Sequence, residues 1–215
     1  MSKANERVDE GSKEVNKEDK ILFRSMYKIM DNLKENIEHL KNNLDGTKKF
    51  IDLIMKAIHD KRHMFLLASG RSAFILQAFA TRLVHLGAKP YIVTNLASIP
   101  RIKDGDYLIV LSGSGTTPLV EKLLRTYVGD CEPKAIIVIT SYPKSVIGRL
   151  GDLTIKLLGR TKRDRKTMDD TAKLTPEGTA FEQVAFTYLD AVIAETASRL
   201  QIDNDKMSAA HCVGT

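Results

Sequence analysis

The sequence predicts an α/β fold, a three-layer α/β/α sandwich built on a five-stranded parallel sheet. Short apolar runs without clean alternation are typical of strands buried on both faces. Helical patterns lie between these runs, and such an alternation makes the sheet parallel, with right-handed crossovers and helices on both faces. The five predicted strands are residues 64–68, 91–94, 107–111, 135–140 and 153–157.

Two helices are predicted before the first strand. From Glu18 to Leu44, apolar residues recur at three- and four-residue steps, which indicates a long amphipathic helix. Gly46 is expected to end this helix, and the same pattern restarts near Phe50 as a second one. Further helices are predicted at 72–86, 118–128 and 144–150, and in the segment TPEGTAFEQVAF near the C-terminus.

One domain with a charged tail is predicted. The first seventeen residues mix acidic and basic side chains almost evenly, which indicates a disordered, solvated tail over 1–17. Residues 18–215 then form a single domain that includes the N-terminal helices and a C-terminal helix. The long first helix carries a continuous apolar stripe, so we expect it to pack between subunits.

Composition argues against several classes of function. The chain has no run of eighteen apolar residues and no apolar core of a secretory signal, which predicts a soluble, cytoplasmic protein without a membrane partner. Cys131 and Cys212 are too few for a disulfide framework, and the histidines show no metal-ligand spacing with them, so no metal is expected. The densest basic run, 159–167, lacks aromatic residues that would stack on bases, so no nucleic acid is expected either.

Small polar residues follow two of the predicted strands. The first strand leads into SGRS, residues 69–72, and the third into SGSGTT, residues 112–117. In open parallel sheets, ligands bind outside the carboxyl ends of the strands. Each turn also precedes a helix, whose free N–H groups and dipole favour an anion, while glycines let the backbone approach it. We therefore expect a phosphate group at this edge of the sheet.

The two turns indicate a phosphate to different degrees. Residues 112–117 contain four hydroxyls and two glycines, which is more than helix capping needs. For the earlier turn two explanations stay open, a helix cap in a permissive loop or an anion site. Arg71 in that turn either binds phosphate or sugar oxygens or pairs with an acidic neighbour. Neither turn has the pattern of a dinucleotide site or of a P-loop.

A carboxylate occupies a position on an otherwise apolar helix face. Read as a helix, the segment near the C-terminus places Glu182 on the same side as Ala185 and Leu189. Two explanations are open from these residues alone. Either Thr179 and Glu182 form a capping box that closes the start of the helix, or Glu182 is a buried acid that transfers protons.

Four stretches resemble the sugar isomerase (SIS) domain family, and within it the 6-phospho-3-hexuloisomerase branch. They are ASGRSAFILQAFATRLVHLG, LIVLSGSGTT, GTAFEQVAFTYLDAVIAE and AAHCVGT. The S-G-S-G-x-T turn is typical of the whole family, whereas the G-R-S turn, the G-T-x-F-E helix start and a histidine near the C-terminus are typical of the branch. The resemblance implies a flavodoxin-like sheet, a homodimer or homotetramer, and an enzyme without a cofactor.

The resemblance also implies a reaction, the isomerisation of 3-hexulose 6-phosphate to fructose 6-phosphate through a cis-enediol, in the ribulose monophosphate pathway. The expected partner is thus a phosphorylated ketohexose. Carried over by position, Glu182 is the base, and His211 is a second catalytic group in its own or a neighbouring subunit's site. The substrate and its phosphate would be bound by Gly70, Arg71, Ser72, Ser112, Gly113, Ser114, Gly115, Thr116 and Thr117.

Two other functions stay open from the sequence. One is an aldose-ketose phosphate isomerase on the same fold, because a fold does not fix the substrate. The other is a non-catalytic sensor that binds a sugar phosphate and regulates a partner. A helix-turn-helix or a basic N-terminal domain would support the sensor, and neither is recognisable in this sequence.

Overall fold

In the computed structural model, which describes residues 20–93, 99–159 and 174–210, five parallel strands form one sheet between two helical layers. The predicted fold class is confirmed. The strands are β1 (His63–Leu67), β2 (Lys89–Ile92), β3 (Tyr107–Leu111), β4 (Ala135–Thr140) and β5 (Leu153–Lys156). The helices are α1 (Lys20–Lys41), α2 (Leu44–His59), α3 (Arg71–His85), α4 (Pro118–Asp130), α5 (Thr179–Arg199) and α6 (Asn204–Ala209).

The strand order, β2-β1-β3-β4-β5, creates a crevice between β1 and β3. These two strands are neighbours, with Phe65 opposite Leu108. From β1 the chain continues through α3 to β2 on one side, whereas from β3 it continues through α4 to β4 on the other. The two connections therefore diverge at the carboxyl ends of adjacent strands, which is where open α/β sheets bind ligands.

Two apolar clusters form the core, one on each face of the sheet. Successive strand residues point to opposite faces. In β3, Tyr107, Ile109 and Leu111 join the cluster that includes residues of α2, α3 and α5. Leu108 and Val110 join the cluster that includes residues of α4. Burial on both faces explains why this strand appears in the sequence as an unbroken apolar run.

Helix α1 lies against α2 and α5 and is also fixed by two polar contacts. The buried Asn36 side chain donates to the Leu158 carbonyl oxygen at 2.8 Å and accepts from the Leu158 N–H at 2.7 Å. Nearer the start of the helix, the Ser25 hydroxyl donates to the Leu174 carbonyl oxygen. Helix α1 therefore holds the chain on both sides of the segment 160–173.

The expected helix break at Gly46 is wrong. Helix α1 ends at Lys41, and α2 begins at Leu44 and contains Gly46. An ideal Cβ at Gly46 would lie 3.2 Å from Cδ1 of Ile155 in β5, so the glycine lets α2 lie close to the sheet. The burial of the apolar face of α2 outweighs the weak helix propensity of this one residue.

The helix predicted over 144–150 is also wrong, because this stretch forms turns and a 3₁₀ helix at Gly148–Leu150. The Ser145 hydroxyl accepts the Gly148 N–H at 3.1 Å. A serine side chain that binds the backbone in this way competes with an α-helix. Gly148 also lies against Pro143, whose carbonyl oxygen would be 2.4 Å from an ideal Cβ at that position.

The tail predicted over 1–17 lies outside the described residues. Among the helices that the structure does describe, none is long and apolar enough to cross a lipid bilayer.

Replacing Asn36 by alanine is expected to lower the free energy of unfolding by roughly 1–3 kcal/mol, because it leaves two backbone groups of Leu158 without their partners. Urea denaturation followed by circular dichroism measures this loss. Asn42→Ala is the matched control, since Asn42 is exposed, and its effect should stay within about 0.5 kcal/mol. Equal losses in the two variants would show that Asn36 does not fix α1.

Candidate active site

A cleft of about 430 Å³ opens at the carboxyl ends of β1 and β3. Its volume falls within the range of small-molecule sites, roughly 300–1,000 Å³. Three segments form its walls: the turn after β1, the turn after β3, and the start of α5 with the residues just before it. The switch point of the sheet is therefore an open cavity.

Most of the residues predicted from the sequence line this cleft. The structure brings together Gly70, Arg71, Ser72, Ser112, Gly113, Ser114, Thr117 and Glu182. Gly115 and Thr116 belong to the same turn as Ser114 but do not line the cleft, and Thr116 is exposed. His211 lies outside the described residues, so its predicted role stays a prediction.

Gly115 shapes the turn after β3. Its φ of +62° lies in the left-handed region that favours glycine, and an ideal Cβ there would be 1.9 Å from the Ser145 hydroxyl oxygen. The backbone around it is held by the loop after β4. The Ile147 N–H donates to the Gly115 carbonyl oxygen at 3.1 Å, and the Thr140 hydroxyl donates to the Gly113 carbonyl oxygen at 3.2 Å. The end of β4 and the loop that follows it thus fix the conformation of this turn.

Two helices begin at the cleft with no side-chain cap. Helix α3 has Gly70 as its N-cap, and α4 has Thr117, whose hydroxyl makes no capping hydrogen bond. That hydroxyl instead lies 3.1 Å from the hydroxyl of Ser112. The Ala73 N–H of α3 donates to the Gly70 carbonyl oxygen, and Pro118 at the start of α4 has no N–H. The other N–H groups in the first turn of each helix are left for another acceptor, and the positive dipole ends favour an anionic one.

Glu182 does not act in a capping box, and that explanation from the sequence is wrong. Helix α5 begins at Thr179, with Gly178 as its N-cap in a left-handed conformation, so the Thr179 hydroxyl lies one residue too late to cap. Arg71 instead donates from Nε to Oε2 of Glu182 at 2.5 Å. Of the two explanations left open for Arg71, the structure shows the pairing with an acidic neighbour.

The ion pair is asymmetric in its exposure to solvent. The Glu182 side chain is 14% exposed, whereas that of Arg71 is 68% exposed. The hydrogen bond to Glu182 raises the pKa of Arg71, so the guanidinium stays charged. Its terminal NH₂ groups extend the donor capacity beyond the single bond to Glu182. A carboxylate in the wall of the cleft is thus held by an exposed cation at its rim.

Five lining residues were not predicted from the sequence. They are Ser69, Leu111, Glu177, Gly178 and Phe181.

Phe181 is the most informative of these five residues, because it is almost fully buried between two glycines. An ideal Cβ on Gly113 would lie 2.8 Å from its ring, and one on Gly159 would lie 2.6 Å from its Cα. Glycines after strands signal such close approaches, but they do not say which side chain approaches.

Few charges face the cleft. The described residues contribute Arg71, Glu177 and Glu182 to its wall. An anionic ligand would therefore depend on the two helix N-termini, on the hydroxyls of the turns and on Arg71. Glu182 is the group suited to proton transfer, because it is a carboxylate largely shielded from solvent inside the cavity.

Comparison with known proteins relates this cleft to one family. A model of the SIS domain matches residues 57–167, a range that contains both turns. The chain is 36% identical over 172 residues to 3-hexulose-6-phosphate isomerase of Methanocaldococcus jannaschii, which covers 80% of this chain and 84% of that protein. It is 29% identical over 183 residues to the enzyme of the same name from Bacillus subtilis, covering 82% of this chain and 96% of that one.

A solved structure has a similar fold over nearly the whole chain. It is a Methanococcus jannaschii protein whose crystal structure infers a function of 3-hexulose-6-phosphate isomerase. The TM-score is 0.68 at 31% sequence identity, and the match covers 91% of this chain and 99% of that one.

Gly115→Ala is expected to lower the free energy of unfolding by roughly 1–3 kcal/mol, because it introduces a clash with Ser145 and strains a left-handed backbone. It should also reduce the thermal stabilisation that inorganic phosphate gives. Gly129→Ala is the control, since an ideal Cβ at Gly129 meets nothing within 4 Å. Thermal denaturation with and without phosphate tests both statements, and a Gly115→Ala protein as stable as the control would contradict them.

Proposed function

Because this chain is a sugar-phosphate isomerase of the SIS domain family, we propose that it interconverts 3-hexulose 6-phosphate and fructose 6-phosphate. The observation that carries the proposal is the position of Glu182. Its carboxylate lies in the same cleft as two uncapped helix N-termini, so a base and an anion site face one cavity. The relatives that are named 3-hexulose-6-phosphate isomerase match most of the chain.

One carboxylate is enough for the proton transfers at carbon. Moving a carbonyl from C3 to C2 requires that a proton leave C2 and that a proton be delivered to C3. The two carbons are adjacent, so a single carboxylate beside them serves first as base and then as acid. Glu182 fits this role because it lies in the wall of the cleft with most of its side chain shielded from water.

The phosphate is assigned to the turn after β3. Ser112, Ser114 and Thr117 line the cleft where α4 begins and supply hydroxyls to it, and Gly113 lines the same wall. Gly70 and Ser72 lie at the start of α3 and line the opposite wall. A substrate anchored there by its phosphate would extend its reacting carbons toward Glu182.

His211 is assigned as a second acid/base group, which would move the hydroxyl proton between the two oxygens of the enediol. The resemblance of the segment AAHCVGT to the 6-phospho-3-hexuloisomerase branch supports this assignment. A histidine suits the role because its ordinary pKa lies near neutrality.

A second copy of the chain is the proposed partner of α1. Half of the large apolar side chains that are exposed in the described part of the chain lie on this one helix, among them Met26 and Met30 at 53% and 48% exposure. A stripe of this length on one helix suits a two-fold interface, in which the same surface of each copy packs on the other.

The reaction is tested by incubating the protein with fructose 6-phosphate in D₂O and following each carbon-bound hydrogen by NMR. Deuterium at C3 is expected, because a 2,3-enediol exchanges that proton. Exchange at C1 would instead identify an aldose-ketose isomerase. If neither position exchanges and a direct assay detects no product, the proposed reaction is wrong and a sugar-phosphate sensor becomes the better explanation.

Glu182→Gln should lower kcat by about 10²–10⁴-fold, the usual contribution of a general base. The matched control is Glu195→Gln, which neutralises an exposed glutamate on the same helix outside the cleft and should retain wild-type turnover. A Glu182→Gln enzyme with full turnover would exclude Glu182 as the base.

The proposed interface predicts that a Met26→Glu, Met30→Glu double variant shifts the protein to the monomer, because it places charges in an apolar contact. Light scattering coupled to size exclusion gives the mass of each species. Arg24→Glu is the control, since Arg24 is exposed, lies two residues from Met26 and therefore faces the other side of the helix. A wild-type protein that is monomeric, or a double variant that stays associated, would refute the interface.

A further inference from the structure

Arg71 and Glu182 stand at the boundary between two cavities. Both line the main cleft, and both also line a smaller adjoining cavity of about 220 Å³ that includes Phe74 and Phe186. The hydrogen bond between them therefore lies where the two cavities adjoin. The exposed side of this pair is Arg71, and the shielded side is Glu182.

The observed pairing hinders the proposed base. A carboxylate oxygen that accepts a charge-assisted hydrogen bond at 2.5 Å has one of its lone pairs engaged and its negative charge partly neutralised. That lone pair is not available to a substrate proton while the bond to Arg71 persists. For Glu182 to take a proton from carbon with Oε2, Arg71 has to give up this contact or weaken it during the reaction.

The reaction itself creates a competing partner for Arg71. When Glu182 takes the proton from C2, the electron pair of the C2–H bond forms a C2=C3 double bond, and the C3 carbonyl oxygen becomes negatively charged. Glu182 then returns its proton to C3, while the proton on the C2 hydroxyl passes to the oxygen on C3. A cation close to these oxygens stabilises the charged intermediate.

We propose that Arg71 is a catalytic residue that exchanges partners, holding Glu182 in the free protein and binding the enediolate oxygen during turnover. This inference rests on the function proposed above and assigns Arg71 to the reacting end of the substrate, away from the phosphate. Two observations support that end. Arg71 contacts the base itself, and the phosphate has its own donors in the turn at 112–117.

Arginine suits such an exchange better than lysine. Its planar guanidinium carries five N–H donors in a fixed geometry, and Nε alone makes the bond to Glu182. The terminal nitrogens can engage a substrate oxygen before the bond to Glu182 breaks. The charged groups that the described residues bring to this cleft are Arg71, Glu177 and Glu182, so Arg71 is the cation available there for the intermediate.

The test compares Arg71→Gln with the wild type and with Arg82→Gln, which removes an exposed arginine of the same helix outside this cleft. Turnover gives kcat and KM for fructose 6-phosphate. Calorimetry gives the affinity for two unreactive anions, inorganic phosphate and 4-phosphoerythronate. The second probe combines a phosphate with a carboxylate in the position where the charge of the 2,3-enediolate develops.

Arg71→Gln should lower kcat by about 10²–10³-fold, as the loss of one oxyanion donor does. It should lower the affinity for 4-phosphoerythronate by roughly 10–100-fold and leave the affinity for inorganic phosphate unchanged. Guanidinium ion added in solution should partly restore the turnover of Arg71→Ala, a rescue that a purely structural role would not show. Arg82→Gln should match the wild type in every measurement.

Two results would overturn the proposal. A raised KM with unchanged kcat, together with weaker binding of inorganic phosphate, would make Arg71 a phosphate anchor. Unchanged binding and unchanged turnover in Arg71→Gln would show that the bond between Arg71 and Glu182 has no part in catalysis. The binding measurements need no turnover, so they test the exchange of partners even if the wild type fails to isomerise fructose 6-phosphate, a failure that would refute the proposed reaction instead.

Discussion

The packing of Phe181 between Gly113 and Gly159 is the contact on which the cleft depends. Phe181 belongs to the first turn of α5 and is buried in the core, and the burial of a side chain of this size contributes about 2–3 kcal/mol. Gly113 belongs to the turn after β3, and Glu182 follows Phe181 directly in the chain. One close contact therefore sets the position of the carboxylate relative to the turn. Because protein interiors are densely packed, neither segment can shift without displacing the other.

The described wall of the cleft contains both positive and negative groups. Each helix N-terminus supplies the equivalent of about half a positive charge, and Arg71 supplies one more. Glu177 and Glu182 bring two negative charges to the same wall. An anionic ligand would meet both signs of charge in this wall, and Arg71 is the side-chain cation that the described residues place there. A different position of the Arg71 side chain would change the electrostatic potential in the cleft more than the rotation of a hydroxyl in either turn would, because the guanidinium carries a full charge.

Sequence reasoning succeeded where the signal was local. Strands such as β3 and β4 are buried on both faces, so they appear as apolar runs, and the turns that follow them are rich in glycine and hydroxyls. It failed where a distant contact decides the outcome. Gly46 stays helical because Ile155 of another element lies against it, and Glu182 is held by a residue 111 positions earlier in the chain. The capping box is wrong for a local reason, since the left-handed Gly178 is the N-cap and Thr179 is already the first helical residue.

The hydrogen bonds of Asn36 connect helix α1 to the wall of the cleft. Asn36 grips Leu158, the next residue is Gly159, and Gly159 lies against Phe181, whose neighbour in the chain is Glu182. Four short steps thus connect the outer helix to the carboxylate in the cleft. Chains of packed and hydrogen-bonded residues of this kind carry energetic coupling between separate parts of a protein. The seating of helix α1 on the sandwich is therefore part of what positions Glu182 in the cleft, through Leu158, Gly159 and Phe181.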